Sequence, residues 1–329
     1  MTPSAQPRSA ETGRLLERLA FAQEAIAASA ALRAAADLGV LSRLHEGPVD
    51  PPALARDRGI AERGAELLLA ALAGMGLAEV TATGKYTAAL TRLDTIAPWL
   101  EQWSQLTEAV RSDRPAVRGD TPSGAEAFYP GAVDQLGVLF AGAAAVVADR
   151  LAAPGLSILD IGAGAAPWSL ALAARHGDCR VTAVDLPGVL GNTRRAVEAA
   201  GLGAQFKYLA GDLFSVDLGR AHYDLIVAGN ICHLFDDRSN RALLARLFDA
   251  LRPGGCLAIL DELPNEAMDG PRPVVLYALG LLLRSGSGRV YPFTTYVGWL
   301  RDSGFEAISR AEPDPSQLIS VITARRPAH

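Results

Sequence analysis

The stretch Ile158-Leu159-Asp160-Ile161 runs without a break into Gly162-Ala163-Gly164, and the next apolar run, 180–184, is closed by a lone carboxylate, Asp185. Few folds accept that order. A short hydrophobic strand entering Gly-x-Gly lets backbone amides approach a ligand, because glycine has no Cβ and tolerates φ/ψ values other residues avoid. A carboxylate at the tip of the second strand can then accept from two ribose hydroxyls. The third glycine of the dinucleotide fingerprint is absent: Ala165, Ala166 and Pro167 follow Gly164. This variant suits a nucleoside without a pyrophosphate, which points to S-adenosylmethionine more than to NAD. The two glycines alone are also compatible with an ordinary strand-to-helix turn.

The next segments narrow the choice. Residues 206–209 read as a third strand and lead into Gly211-Asp212-Leu213-Phe214, where Asp212 can accept from an adenine amine and Phe214 can cover the base. Residues 223–228 read as a fourth strand ending in Gly229-Asn230-Ile231-Cys232-His233. Arg252-Pro253-Gly254-Gly255 turns into a fifth strand, 256–260, ending at Asp261. All these polar groups then stand at the carboxyl ends of successive strands, where open α/β sheets bind ligands.

Residues 150–329 resemble the class I S-adenosylmethionine-dependent methyltransferases, and the whole chain is similar to the small-molecule O-methyltransferases of plant phenolic and bacterial natural-product tailoring type. The matching stretches are Leu159-Asp160-Ile161-Gly162-Ala163-Gly164, Val184-Asp185-Leu186-Pro187, Gly211-Asp212-Leu213-Phe214, the His233 segment with Asp236-Asp237, and Leu251-Arg252-Pro253-Gly254-Gly255. The resemblance implies an α/β fold, a Rossmann-like seven-stranded sheet, with an α-helical winged-helix dimerisation domain before it. It implies S-adenosyl-L-methionine as cofactor, held by Gly162, Gly164, Asp185, Leu186, Gly211, Asp212, Phe214 and Asn230. The expected organisation is a disordered tail over 1–11, a dimerisation domain over 12–98, a helical connector over the cleft at 99–150, and the cofactor-binding catalytic domain at 151–329.

Composition excludes several other classes. Half of the 329 residues are hydrophobic, enough for a sizeable core. The apolar stretch 274–283 is ten residues and the longest such stretch, 136–148, is thirteen, glycines included, against the roughly 20 a bilayer requires. No membrane span is expected, and the amino terminus lacks the basic start and apolar core of a secretion signal, which favours the cytoplasm. Cys179, Cys232 and Cys256 are odd in number and lie on or beside core strands, as reduced buried thiols do. Five scattered histidines and no Cys-x-x-Cys give no metal-ligand spacing.

Residues 51–75 read as helix, turn, helix, and 76–80 with 84–87 as a two-stranded wing. A winged helix often binds DNA. Here the net charge is −5, the first 120 residues carry 13 Lys and Arg against 15 Asp and Glu, and the would-be recognition helix offers one basic residue, Arg63, beside Leu67, Leu68 and Leu69. Such a helix suits a protein partner better than a major groove. Ahead of it, 15–36 is an alanine-rich helical segment with Phe21, Ile26 and Leu32 along one side; a helix of this kind is buried within its chain or paired. The resemblance implies pairing, as a homodimer with a small-molecule acceptor.

From 99 to 140 the pattern is irregular, broken by Arg114-Pro115, Pro122-Ser123-Gly124 and Tyr129-Pro130-Gly131, with a helix expected to resume near Val133 and run to Leu151. Phe128, Tyr129 and Phe140 either line an aromatic substrate site or serve as hinge packing. Residues 274–284, after Pro271-Arg272-Pro273, form the segment that the resemblance places above the acceptor, with Tyr277, Leu281 and Arg284 facing it; Arg284 either meets a substrate carboxylate or ends the helix favourably.

Transfer of a methyl group to a hydroxyl requires alignment of the acceptor and loss of its proton. An imidazole titrates near neutrality and can take that proton. His233, at the end of a core strand, is the candidate base, the alternative being a helix-capping role. The family flanks its base with two acidic residues. Asp261 matches the first; the second position falls near Val290, where nothing acidic stands. That departure leaves open a base supported by Asp261 alone, methylation of an activated carbon, or a non-methylating reaction on a retained cofactor site. The last two strands are expected at 305–309 and 318–324.

Overall fold

In the computed structural model, residues 7–89, 96–311 and 319–328 are described, and the chain divides into two units at Ser104/Gln105. The first unit opens with α1 (Pro7–Asp37). Residues 1–6 of the expected tail lie outside the described residues; 7–11 are helical, a correction explained by a proline at the first helical position followed by residues that favour helix. Helices α2 (Val40–His45), α3 (Pro51–Arg58) and α4 (Glu62–Gly74) follow, then the wing, β1 (Ala78–Val80) against β2 (Tyr86–Ala88), and α5 (Ile96–Ser104). Asp50 caps α3 by accepting from the Ala53 amide at 2.8 Å, and Gly59 ends it in the left-handed region at φ 64°. Leu41, Leu44, Leu54, Leu69 and Leu72 make the core of this unit. On α1, Leu15, Leu16, Leu19 and Ile26 are exposed, Ile26 at 71%.

The second unit begins with α6 (Leu106–Ser112) and α7 (Pro122–Leu151). The expected irregular stretch is thus largely helical, and α7 starts eleven residues earlier than the position near Val133. The breakers act differently in place: Thr121 accepts from the Gly124 amide as a cap and Pro122 occupies the helix start, where a missing N–H costs nothing. Pro130 lies inside the helix, and its carbonyl accepts from Asn192 Nδ2 at 3.0 Å. By length and composition α7 could cross a membrane; its Ala143, Ala144, Val147 and Ala148 are instead packed in the second hydrophobic cluster of the sheet domain.

The sheet strands are β3 (Ser157–Ile161), β4 (Arg180–Asp185), β5 (Phe206–Ala210), β6 (Tyr223–Gly229), β7 (Leu251–Glu262), β8 (Glu306–Ala311) and β9 (Ile319–Arg325), ordered β5-β4-β3-β6-β7-β9-β8. The first five pair in parallel, and β9 runs antiparallel between β7 and β8. Between them lie α8 (Pro167–Ala173), α9 (Leu190–Ala199), α10 (Asp237–Ala250), α11 (Arg272–Leu281) and α12 (Phe293–Asp302). Strand order reverses between β3 and β6, which opens a crevice at their carboxyl ends. The turn at Arg252-Pro253-Gly254-Gly255 is absorbed into β7: the ladder to β6 jumps from Tyr223↔Leu251 to Leu225↔Cys256, an irregularity that Gly254 permits at φ 77°. Leu318, at the start of the expected last strand, lies outside the described residues.

Candidate active site

At that crevice is a cavity of about 410 Å³, within the range of small-molecule sites. Its floor is the β3–α8 loop. Gly162 and Gly164 take φ 62° and 56°, and a Cβ on Gly162 would stand 2.8 Å from Ile231 Cδ1, so glycine is required there by conformation and by space. Ala166 also takes a left-handed φ of 55° before Pro167 opens α8. Beneath the loop Asp160, buried, accepts the hydroxyl of Ser169, and burial pushes its carboxyl up to about 7. Thr193 on α9 donates to the Gly164 carbonyl at 2.6 Å.

Asp185 faces this loop from the end of β4. One oxygen accepts from the Gly164 amide at 2.8 Å and the other from the Leu186 amide at 2.7 Å; burial raises the carboxyl to about 6 against the pull of those two amides. Asp212 accepts from the Phe214 amide at 3.0 Å, and Phe214 meets Phe235 edge-to-face, with ring centroids 4.9 Å apart. Asn230 takes a left-handed φ of 56°, and its side-chain oxygen is sealed from solvent without a hydrogen-bond partner. A buried orphan acceptor costs free energy unless something donates to it. Gly162, Gly164, Asp185, Leu186, Gly211, Asp212, Phe214 and Asn230 all line this one cavity. A glycine cradle, a carboxylate with lone pairs to spare, a flanking aromatic ring and an orphan acceptor fit an adenosyl group bearing a donor at its far end.

His233 follows β6 in a short 3₁₀ turn and is buried at 3% exposure. Its Nδ1 is 2.6 Å from Asp261 Oδ1, at the end of β7, and its Nε2 is 2.8 Å from the Tyr277 hydroxyl on α11. Tyr296 on α12 donates to the other Asp261 oxygen at 3.0 Å. A carboxylate at Nδ1 takes the Nδ1–H tautomer, which leaves Nε2 as an acceptor. Val290 is buried and brings no carboxylate. Glu262, the residue after Asp261, is the acidic group that sequence reasoning missed: burial raises it to about 7, against the opposing influence of His233 and Arg284. The missed signal was its adjacency to Asp261 at a strand end, where alternation turns the two side chains to opposite faces.

The substrate candidates separate. Tyr129 and Phe140 line the cavity, Phe140 stacked on Trp168 with centroids 5.6 Å apart. Phe128 does not line it; it packs edge-to-face on Tyr129 at 5.2 Å, which is the hinge-packing alternative. Tyr277 contacts His233, Arg284 lies over the Tyr277 ring at 4.6 Å, and Leu281 is buried in the core cluster. Trp168 and Tyr296 were not singled out from sequence. Trp168 fills the space a Cβ on Gly229 would take, a relation only the folded chain displays.

The parallel sheet with a reversed last strand, and a carboxylate closing its second strand beside the glycine loop, defines a class I methyltransferase domain. Comparisons with known proteins agree. Residues 158–255 match a methyltransferase domain family and residues 22–95 match the O-methyltransferase dimerisation domain. The chain is 30% identical to a 3-hydroxy-5-methyl-1-naphthoate 3-O-methyltransferase of Streptomyces sahachiroi, covering 89% of this chain and 91% of that protein. It is 29% identical to the tetracenomycin polyketide synthesis 8-O-methyl transferase of Streptomyces glaucescens, covering 84% and 87%. In fold it is similar to human N-acetylserotonin methyltransferase in complex with S-adenosylmethionine, with a TM-score of 0.74 at 24% identity over 99% of this chain and 100% of that one. The chain belongs to the S-adenosylmethionine-dependent O-methyltransferases. Its cofactor is S-adenosylmethionine.

Proposed function

We propose that this enzyme methylates a hydroxyl of an aromatic or polyketide-like small molecule, with His233 as general base. The observation that carries this reading is the pair of contacts on the imidazole: Asp261 fixes Nδ1, and Nε2 accepts the hydroxyl of a phenol, Tyr277, at 2.8 Å. An acceptor phenol would make the same contact. The two relatives of highest identity reported above act, by name, on a hydroxynaphthoate and on a polyketide product, which supports the aromatic acceptor class.

S-adenosylmethionine supplies a methyl carbon on a sulfonium, open to displacement. The chain's residues do the rest. Asp185 would receive the ribose hydroxyls and Asp212 the adenine amine, Phe214 would cover the base, and Asn230 Oδ1 would accept from the amino-acid end. Tyr277 gives up its contact with Nε2 when the acceptor enters. The acceptor oxygen passes its proton to Nε2, and Asp261 stabilises the imidazolium through Nδ1–H. Tyr296 holds the second Asp261 oxygen, so the carboxylate cannot turn away. General-base assistance of this kind contributes on the order of 10²- to 10⁴-fold.

Steady-state kinetics on His233→Ala tests the role. The expected result is a fall in kcat of about 10²-fold or more with unchanged cofactor affinity by calorimetry. Near-normal turnover on the same acceptor would make His233 a structural residue. The dimerisation domain leads us to infer a homodimer, with the exposed leucines of α1 at its interface.

A further inference from the structure

Among the described residues Arg284 forms no ion pair. The side chain is 92% buried by its 8% exposure, yet among the described residues no carboxylate lies within ion-pair distance of it, and no hydrogen bond leaves its guanidinium. Its guanidinium lies over the face of Tyr277, 4.6 Å from the ring centroid. A guanidinium has five N–H donors in a fixed fork, and leaving them idle in a nearly dry place is expensive. Sealed side-chain nitrogens without a partner occur among the described residues only at Arg58 Nε and Gln102 Nε2, so the Arg284 nitrogens open onto residual solvent.

The position is next to the reacting centre. The ring of Tyr277 lies under the guanidinium, and the hydroxyl of that same ring contacts His233 Nε2. The Arg284 carbonyl also accepts the Gly119 amide at 2.8 Å, and Gly119 and Tyr129 line the cofactor cavity. Glu262 is near enough to feel both Arg284 and His233, yet pairs with neither.

We propose that Arg284 is the receptor for a carboxylate on the acceptor, so that the substrate class is a hydroxylated aromatic acid whose hydroxyl faces His233 while its carboxylate takes the guanidinium fork. An acceptor that displaces only the Tyr277 hydroxyl from Nε2 would bring its own hydroxyl to the imidazole and a carboxylate on the same molecule toward the neighbouring guanidinium. A planar bidentate pair of this kind fixes orientation as well as adding affinity. The proposal rests on the methyl-transfer reading for the role of the hydroxyl, but the carboxylate contact can be measured without turnover.

The test uses the full chain saturated with S-adenosylhomocysteine and titrated with 3-hydroxy-2-naphthoate, its carboxamide and 2-naphthol. The wild type is expected to bind the acid at least about tenfold more tightly than either neutral probe, and Arg284→Met to bind all three alike, since a charge-assisted pair has been lost. Arg284→Lys should recover part of the preference, keeping the charge without the fork. Unchanged cofactor affinity and melting temperature in Arg284→Met show that it is folded. A wild type that does not prefer the acid, or binds none of the probes, overturns the proposal. So does an Arg284→Met protein that keeps the preference. If Arg284 merely offsets Glu262, Arg284→Met will lower stability, Glu262→Gln will restore it, and the acid preference will not move; that result also overturns it. His233→Ala, slowed in turnover, should still prefer the acid in binding, which separates failure of this assignment from failure of the base assignment.

Discussion

Asp185 joins two functions in one side chain. Its oxygens already accept the amides of Gly164 and Leu186, which draws the β3–α8 loop onto the end of β4, and in the proposed role each would keep a lone pair for a ribose hydroxyl. Removing the carboxylate should therefore weaken S-adenosylmethionine binding by about 1 to 3 kcal/mol, a lost charge-assisted pair. Calorimetry on a folded Asp185→Ala protein decides it, and an unchanged dissociation constant would remove Asp185 from the site. The same group gives a pH dependence. Its carboxyl sits at about 6 because it is buried, and a protonated oxygen no longer accepts freely. Cofactor affinity should hold above pH 6 and fall as pH drops below it, by up to about tenfold per unit. Asp185→Asn should flatten that profile; a profile unchanged by the substitution would assign the titration to another group.

At the scale of elements, the site depends on turns whose backbone only certain residues accept. In the β3–α8 loop Gly162 combines a left-handed φ with a close approach to Ile231 Cδ1. Gly162→Ala should destabilise the protein through both causes: overpacking, and about 1 to 2 kcal/mol for the left-handed backbone. Ile231→Val deletes the atom that the new methyl would meet. In the double variant the overpacking loss should disappear while the backbone cost remains, a difference read by denaturant titration. Full recovery would mean the backbone is not strained, and no recovery would mean the Ile231 contact is not the cause. In α3 the cap is more conventional: Asp50→Ala should cost about 1 kcal/mol, with no effect on cofactor binding.

For the whole molecule, buried acids set the response to pH. Asp160 and Glu262 are each pushed up to about 7 and Asp185 to about 6, from ordinary values of 3.8, 4.5 and 3.8. An acid that holds its proton longer when folded favours the native state at low pH, and that advantage is lost as pH rises from about 4 through 7. The cofactor-free protein should thus melt at a higher temperature at pH 5.5 than at pH 7.5, with a smaller difference in Asp160→Asn. The reverse order of melting temperatures would show that these carboxyls are not shifted upward. Assembly is the second property at this scale. Leu15, Leu16 and Leu19 are each more than half exposed on α1, and such a run needs cover. Light scattering at micromolar concentration should give the mass of a dimer, and Leu16→Glu with Leu19→Glu should halve it; a wild-type monomer would contradict the inference.

By itself, the sequence determined whatever depends on local order. The strand entering Gly162-Ala163-Gly164, the carboxylate closing the next strand and the polar groups at successive strand ends required a parallel sheet with its ligands along one edge, because alternation and strand direction are properties of neighbouring residues. It also singled out His233 and Asp261, since both end core strands. The extent of α7 was decided by tertiary structure: Pro122 and Gly124 read as breakers until Thr121 is seen capping the helix and sheet packing is seen holding the rest. Tertiary structure alone brought Tyr277 and Tyr296 around His233 and Asp261, and left Arg284 buried without an ion-pair partner among the described residues. Those residues come from β7, α11, α12 and the loops between them, at separations along the chain that no periodicity connects, so their meeting is a property of the packed molecule.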